Sequence, residues 1–154
     1  MDLIATATAY EESTRVFLDA AAQLTDAVLD RHAEGGWSAR QIVHHLADAE
    51  AQGYARLRRL LAEPEGSIIQ GYDEAAWAHC EALGYSELPI EHSLAVFAAV
   101  RAASADLLGR LREADLERYA LHSSAGHYSV ATWITTYTKH PRDHAAQMAE
   151  AIRP

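Results

Sequence analysis

The sequence has a single cysteine, no long apolar run and no dense basic cluster. Cys80 alone cannot form an internal disulfide, and a free cysteine of this kind is typically a small packed residue in a reducing compartment. The longest apolar stretch, around residues 94–100, is far too short to span a bilayer. The largest basic group is Arg56, Arg58 and Arg59 in a chain of net charge −9, which disfavours nucleic-acid binding through phosphate neutralisation.

The N-terminus also lacks the features of a secretory signal. It reads MDLIATATAYEES, with an early acid and no basic stretch, so we expect a soluble cytoplasmic protein. The 154 residues are most simply one domain, 1–154, long enough to bury roughly 70% of the unfolded surface. Abundant Ala, Leu and Glu, with few β-branched runs, favour an all-α fold.

Apolar periodicity and stop signals predict four helices, over about residues 8–32, 38–63, 89–112 and 129–152. The second opens with a capping box formed by Ser38 and Gln41. About 25 residues separate the second and third helices, too many for a tight turn, and they include a short predicted helix over residues 73–82. A connection of that length lets the third helix run in the same direction as the second. The sequence therefore predicts a four-helix bundle with a long crossover between the second and third helices.

A proline lies inside the last predicted helix. Pro141 removes one backbone hydrogen bond and should leave the carbonyl of Tyr137 free. It falls between His140 and His144, where a small bend could aim the two rings.

His140 and His144 lie one turn apart on one helix face, within the apolar stripe around Tyr137 and Met148. Imidazoles in that position need partners, because burying an unpaired polar group costs roughly 1–3 kcal/mol. The spacing suits two ligands of one divalent metal ion, and it equally suits two buried, hydrogen-bonded histidines. Spacing alone leaves both interpretations open.

The remaining histidines are weighed by their place on the predicted helices. His45 lies at the margin of the apolar stripe of the second helix and can lean inward, whereas His44 is predicted to be solvated. His32 is predicted to end the first helix, where a cation suits the helix dipole. His122 and His127 flank a short loop before the last helix and are candidates to line the mouth of a pocket.

These segments together resemble the DinB/YfiT-like superfamily of metal-binding four-helix bundles. The resemblance covers the whole chain in order and spacing. It is carried by Trp37-Ser38, His45-Leu46-Ala47-Asp48, Tyr72-Asp73-Glu74 with Trp77-Ala78, and His140-xxx-His144 followed by Gln147.

The resemblance implies a bundle with the same crossover, often a homodimer, and a divalent metal, most simply zinc or nickel. It assigns the ligand role to His45, His140 and His144. Its better-understood members resemble thiol-dependent S-transferases and isomerases, and others resemble metal-dependent hydrolases.

A three-histidine site leaves coordination positions open, which is typical of catalytic metal sites. We therefore expect a metal-dependent enzyme, S-transferase-like or hydrolase-like, that activates a low-molecular-weight thiol or water against a small-molecule substrate. Four residues near the histidines are candidates to orient the rings or to donate to substrate: Gln41, Asp48, Tyr137 and Gln147. Two alternatives remain. One is a non-catalytic, metal-binding stress-response bundle whose ion is structural, and the other is a bundle whose histidines are buried without metal.

Overall fold

The structure, a computed structural model, describes residues 2–153 and contains four long helices. The long helices are α1 (Leu3–Ala21), α2 (Ala39–Ala62), α4 (Glu91–Leu108) and α5 (Val130–Ala151), and a short helix α3 (Glu74–His79) precedes α4. Side-chain caps fix where several of them begin. Asp2 and Ser129 accept hydrogen bonds from first-turn backbone N–H groups, and Ser38 forms the predicted capping box with Gln41.

The predicted crossover between α2 and α4 is confirmed by the contacts along these two helices. His44 near the start of α2 contacts Ser93 near the start of α4, with 2.8 Å between Nδ1 and Oγ. Further along, the carboxylate of Glu50 lies 3.2 Å from Nη1 of Arg101. Later residues in one helix contact later residues in the other, so α2 and α4 run parallel.

The last helix runs the opposite way against α2. His45 packs beside His144, whereas Gly53, two turns later in α2, accepts a hydrogen bond from the indole of Trp133, at an earlier position in α5. The two helices are therefore antiparallel. The first helix completes the bundle by packing against α4 and α5.

A small sheet was not predicted from the sequence, which indicated only loops there. It contains β1 (Ile68–Ile69), β2 (Tyr119–His122) and β3 (Gly126–Ser129), with β1 parallel to β2 and β2 antiparallel to β3. The hairpin turns at Gly126, whose φ of 73° favours glycine. Because the last residue of β3 is also the N-cap of α5, the sheet ties the crossover segment to the start of that helix.

The first helix is shorter than the sequence predicted. It ends at Ala21 rather than near His32, and the following residues form successive turns that bury Leu29. His32 instead forms an isolated bridge with Ser38. A bidentate ion pair between Asp30 and Arg40, with a shortest distance of 2.7 Å, holds this segment to the first turn of α2.

Cys80 also departs from expectation, because it is exposed at the end of α3 rather than packed. Helix α3 ends at His79, and a 3₁₀ turn over Glu81–Leu83 follows. The chain then turns at Gly84, which has the left-handed φ of 65° that was expected of a stop signal.

Two apolar clusters fill the bundle. One contains Tyr10, Leu57, Leu108 and Trp133, among others, and the second contains Phe17, Leu46, Phe97 and Met148, among others. On every long helix a polar residue falls between the members of the two clusters. These residues form a buried polar layer across the middle of the bundle: Ser13 of α1, Glu50 of α2, Arg101 of α4 and, less deeply buried, His140 of α5.

Candidate metal centre

The three histidines singled out from the sequence come together between α2 and α5. The ring centroid of His45 lies 5.5 Å from that of His140 and 4.8 Å from that of His144. The Nε2 atoms of His140 and His144 are 3.0 Å apart, and one nitrogen from each of the three rings lies within 4.8 Å of the others. Nitrogens of a tetrahedral zinc site are about 3.3 Å apart, given Zn–N bonds of about 2.0–2.1 Å. Only small shifts of the rings separate this arrangement from a three-ligand site.

The environment of His45 tests whether the site suits a metal ion. Its side chain is fully buried, and neither Nδ1 nor Nε2 has a hydrogen-bond partner among the described residues. Each unpaired buried polar group costs about 1–3 kcal/mol, so a histidine buried for structural reasons alone would be expected to have a partner. An ion accepting the lone pair of one nitrogen removes part of that cost. The residues therefore fit a metal, and the metal-free interpretation is disfavoured.

The rings of the other two histidines are oriented by acceptors on their Nδ1 side. Nδ1 of His144 lies 2.8 Å from Oε1 of Gln147, and Nδ1 of His140 lies 3.5 Å from Oε1 of Glu50. A proton on each Nδ1 leaves both Nε2 lone pairs directed at the common point between the rings. Such acceptors fix the tautomer and orientation of metal-ligating histidines.

Burial keeps the rings of His45 and His144 uncharged. The pKa of His45 is lowered to about 3, by burial first and then by the neighbouring rings of His144 and His140. Burial and His140 lower the pKa of His144 to about 4. Both rings are neutral near pH 7, which is the form that binds a metal.

Glu50 is one of the residues near the site that the sequence analysis missed. It is 2% exposed and lies between His140 and Arg101, with one carboxylate oxygen directed to each. Its position could have been found, because it shares the apolar stripe of α2 with Leu46 and Leu57. An acid on such a stripe is a signal of a buried polar network.

Arg101 is the other half of this network and is 1% exposed. Its Nη1 also donates to the carbonyl of Tyr137 at 2.7 Å, the carbonyl that Pro141 was predicted to leave free. The guanidinium lies 3.4 Å from the centroid of the Tyr10 ring. Its remaining hydrogen bonds go to Thr14 Oγ1, the Tyr10 carbonyl and Ser13 Oγ, each at 2.7 Å.

Two residues expected to orient His45 have other partners. Gln41 accepts from the backbone N–H of Ser38 in the capping box, and Asp48 accepts a 2.6 Å hydrogen bond from the hydroxyl of Tyr85. Neither bonds His45, since its two ring nitrogens have no partner in the described part of the chain. Helix position placed them near the ring, but the cap and the crossover segment hold their side chains elsewhere.

The prediction that His44 is solvated was wrong. The residue is 5% exposed, and its nitrogens contact Ser93 Oγ at 2.8 Å and the Leu88 carbonyl at 3.1 Å. Because α4 packs on the flank of α2 that carries His44, both flanks of α2 are covered. A single apolar stripe on a helical wheel does not reveal the second contact.

Glu74, at the start of α3, supplies a carboxylate to which the sequence analysis gave no role at the site. Its Oε2 lies 3.9 Å from Nε2 of His45, and its side chain is 53% exposed. The indole of Trp37 covers another side of the same ring, with centroids 4.7 Å apart. The site thus combines three imidazoles with one solvent-facing acid.

A cavity of about 410 Å³ opens beside His140. Tyr137, expected to face substrate, lines it, and its hydroxyl accepts a 3.1 Å hydrogen bond from Arg56. The expectation that His122 and His127 line a pocket mouth is confirmed, although they lie on β2 and β3 rather than in a loop.

Fold and side chains define a four-helix bundle with a three-histidine candidate metal centre between two antiparallel helices. The chain belongs to the DinB superfamily, whose sequence profile matches residues 9–148. A solved structure, YfiT from Bacillus subtilis, superposes with a TM-score of 0.87 at 28% identity, covering 97% of this chain and 85% of that one. YfiT is described as a probable metal-dependent hydrolase with an unusual four-helix bundle topology.

Curated relatives have names of the same kind. A protein of Oceanobacillus iheyensis named "Putative metal-dependent hydrolase" is 35% identical over 144 residues, which are 93% of this chain and 81% of that protein. A Bacillus mycoides protein with the same type of name is 34% identical over 74% of this chain. The match spans 64% of the length of that Bacillus protein.

Among residues 2–153, no helix combines the length and the apolar character needed to cross a bilayer.

Proposed function

We propose that the protein is a metal-dependent enzyme, hydrolase-like or S-transferase-like, in which His45, His140 and His144 hold a divalent ion such as zinc or nickel. The observation that carries the proposal is the buried, unpartnered ring of His45 beside the imidazoles of His140 and His144. The cavity next to His140 gives a small molecule access to the centre. The names of the relatives agree with metal-dependent hydrolysis.

The residues around the centre would have different roles in catalysis. A divalent ion held by three imidazoles would act as a Lewis acid and lower the pKa of a water or low-molecular-weight thiol at an open position. Glu74, whose Oε2 is the nearest carboxylate oxygen to His45, is placed to accept the proton that such a group loses. Glu50 and Gln147 orient the rings. The hydroxyl of Tyr137 is a hydrogen-bonding group for substrate in the cavity.

A structural ion is the second candidate, and the place of Glu74 favours it. A carboxylate 3.9 Å from His45 Nε2 is close enough to become a fourth protein ligand after a modest shift, and closed four-ligand sites are typical of structural metals. The two functions differ in the effect of chelation. A structural ion predicts a large fall in the melting temperature, since its binding energy is part of the folding energy. A catalytic ion predicts a modest fall together with complete loss of turnover.

Metal content measured by plasma mass spectrometry on untagged protein is the first test. Wild type should hold about one divalent ion per chain, and the His140→Ala/His144→Ala double variant should hold almost none. His92→Ala, which removes an exposed histidine, is the matched control and should retain the ion. A wild-type protein without stoichiometric metal, even after reconstitution, would overturn the proposal.

A turnover screen then separates water from thiol as the activated group. The metal-loaded protein is assayed with esters and amides in water, and with low-molecular-weight thiols and an electrophile. Glu74→Gln should lower turnover strongly while leaving the metal content unchanged, because the amide has the size of the acid but cannot accept the proton. Loss of the ion in Glu74→Gln would favour the structural alternative instead.

A further inference from the structure

Arg56 brings a positive charge into the cavity beside the candidate metal centre. It follows His45 by eleven residues, which returns it to the same face of α2 about three turns later. Its Nη1 donates to the hydroxyl of Tyr137 at 3.1 Å, and Nη2 to the carbonyl of Gln70 at 3.3 Å. Tyr137 in turn packs edge-on against His140. One phenol therefore separates the guanidinium from the histidines.

The charge of Arg56 is not neutralised within the described residues. Both of its hydrogen-bond partners are neutral, no carboxylate lies within ion-pair distance, and its buried Nε has no partner. Arg40, Arg59 and Arg101 differ in this respect, since each is paired with a carboxylate. A guanidinium group that has no carboxylate partner within the chain is suited to bind the carboxylate or phosphate of a ligand.

The rest of the cavity also favours a negative ligand. Tyr72, Tyr128 and Tyr137 line it, and burial raises the pKa of Tyr128 to about 12, so that its phenol is a neutral donor near pH 7. Glu74 is the one acid among the lining residues that the structure describes. With a divalent ion bound, that ion and Arg56 outweigh this single carboxylate. The metal-loaded cavity would thus be locally positive in a chain of net charge −9.

We propose that this cavity binds the anionic group of a small-molecule substrate, a carboxylate or a phosphate, on Arg56 while the reacting end of the molecule lies at the three histidines. The contact of the reacting end with the three histidines rests on the proposed function. What is new is that the substrate carries a negative charge and that Arg56 recognises it.

Mercapto acids and matched mercapto alcohols test the proposal on the metal-loaded protein. Chains of three to six carbons, from 3-mercaptopropionate to 6-mercaptohexanoate, are compared by isothermal titration calorimetry with alcohols of the same length. A charge-assisted hydrogen-bonded pair should make the acid of the best-fitting length bind about 10- to 100-fold tighter than its alcohol. Competition by succinate and by inorganic phosphate distinguishes the two anion types.

Arg56→Met should abolish the preference for the acid, and Arg56→Lys, which keeps the charge without the fork, should retain part of it. The matched control is Arg59→Met, one turn further along α2, where the arginine is paired with Glu63 at the surface. This variant should keep the full preference. Equal affinity for acid and alcohol in wild type, or a preference that survives in Arg56→Met, would overturn the proposal.

Anion binding by Arg56 and metal binding by the histidines can be tested separately. Metal content is measured on the same preparations and reports on the proposed function alone. Should no metal or thiol bind, succinate and phosphate titrated directly still report on Arg56. Binding that Arg56→Met abolishes supports an anion pocket without a metal centre, and no binding of either anion overturns it.

Discussion

Replacement of Arg101 by methionine should strongly destabilise the protein, because it removes only one partner of the buried ion pair with Glu50. The variant leaves the carboxylate of Glu50 buried without its cation, and breaking a buried pair in this way costs about 3–5 kcal/mol. The carbonyl of Tyr137 also loses its donor, because Pro141 has no N–H to replace it, which adds about 1 kcal/mol. The expected loss of about 4–6 kcal/mol is a large part of the 5–15 kcal/mol that typically stabilises a domain.

Urea unfolding in the presence of a chelator measures this loss without a contribution from metal. The double variant Arg101→Met/Glu50→Leu should recover much of the stability, because replacing both partners of a buried pair by apolar groups is often close to neutral. Arg142→Met is the control, since that arginine pairs with Glu12 at the surface, and it should change stability by less than about 1 kcal/mol. A loss below about 1 kcal/mol for Arg101→Met, or additive losses in the double variant, would refute the reasoning.

Three further predictions follow from the same contacts. Glu50→Gln should weaken metal binding about 10- to 100-fold, because the carboxylate that orients His140 is lost. Competition with a chromogenic chelator measures the affinity, and an unchanged affinity would show that the carboxylate does not position the ring. Gly53→Ala should destabilise the protein by about 1–3 kcal/mol in urea unfolding despite the better helix propensity of alanine, because its Cβ would clash with the ring of Tyr137; a stabilised variant would contradict that contact. Folding lowers the pKa values of His45 and His144 to about 3 and about 4. Below about pH 6.5 the unfolded chain therefore binds more protons at these two rings than the folded chain does. The free energy of unfolding of the metal-free protein should for this reason fall by about 3–4 kcal/mol between pH 7 and pH 5. A double variant without these two imidazoles should lose most of that dependence, and an equal dependence in the variant would contradict the assignment.

Much of the architecture could be predicted from the sequence, because it depends on local signals. Ser38 and Gln41 place the start of α2, and the spacing of apolar residues identifies four long helices. The length of the connection before α4 indicates the crossover. The prediction that His45 meets the two histidines of α5 came from the family resemblance, because a helical wheel gives only the direction in which each ring points.

The features that were missed depend on contacts between distant segments. His44 is buried because α4 covers its flank of α2, and α1 ends early because Leu29 packs into the core from a turn. The two-residue strand β1 is defined by its pairing with β2, about fifty residues later. No local pattern carries such information. Glu50 is different, because a carboxylate on the apolar stripe of α2 is visible in the sequence and could have been recognised as a buried acid.

Pro141 links the candidate metal centre to the polar layer of the bundle. A proline in a helix interior costs about 3 kcal/mol, partly because one carbonyl loses its donor. Here Arg101 donates to that carbonyl from α4, and the same guanidinium holds Glu50, whose other oxygen faces His140, the neighbour of Pro141 in the chain. The carbonyl that Pro141 leaves free and the carboxylate that faces His140 therefore both depend on one side chain. A substitution of Arg101 that leaves all three histidines in place should for this reason still change how they bind metal.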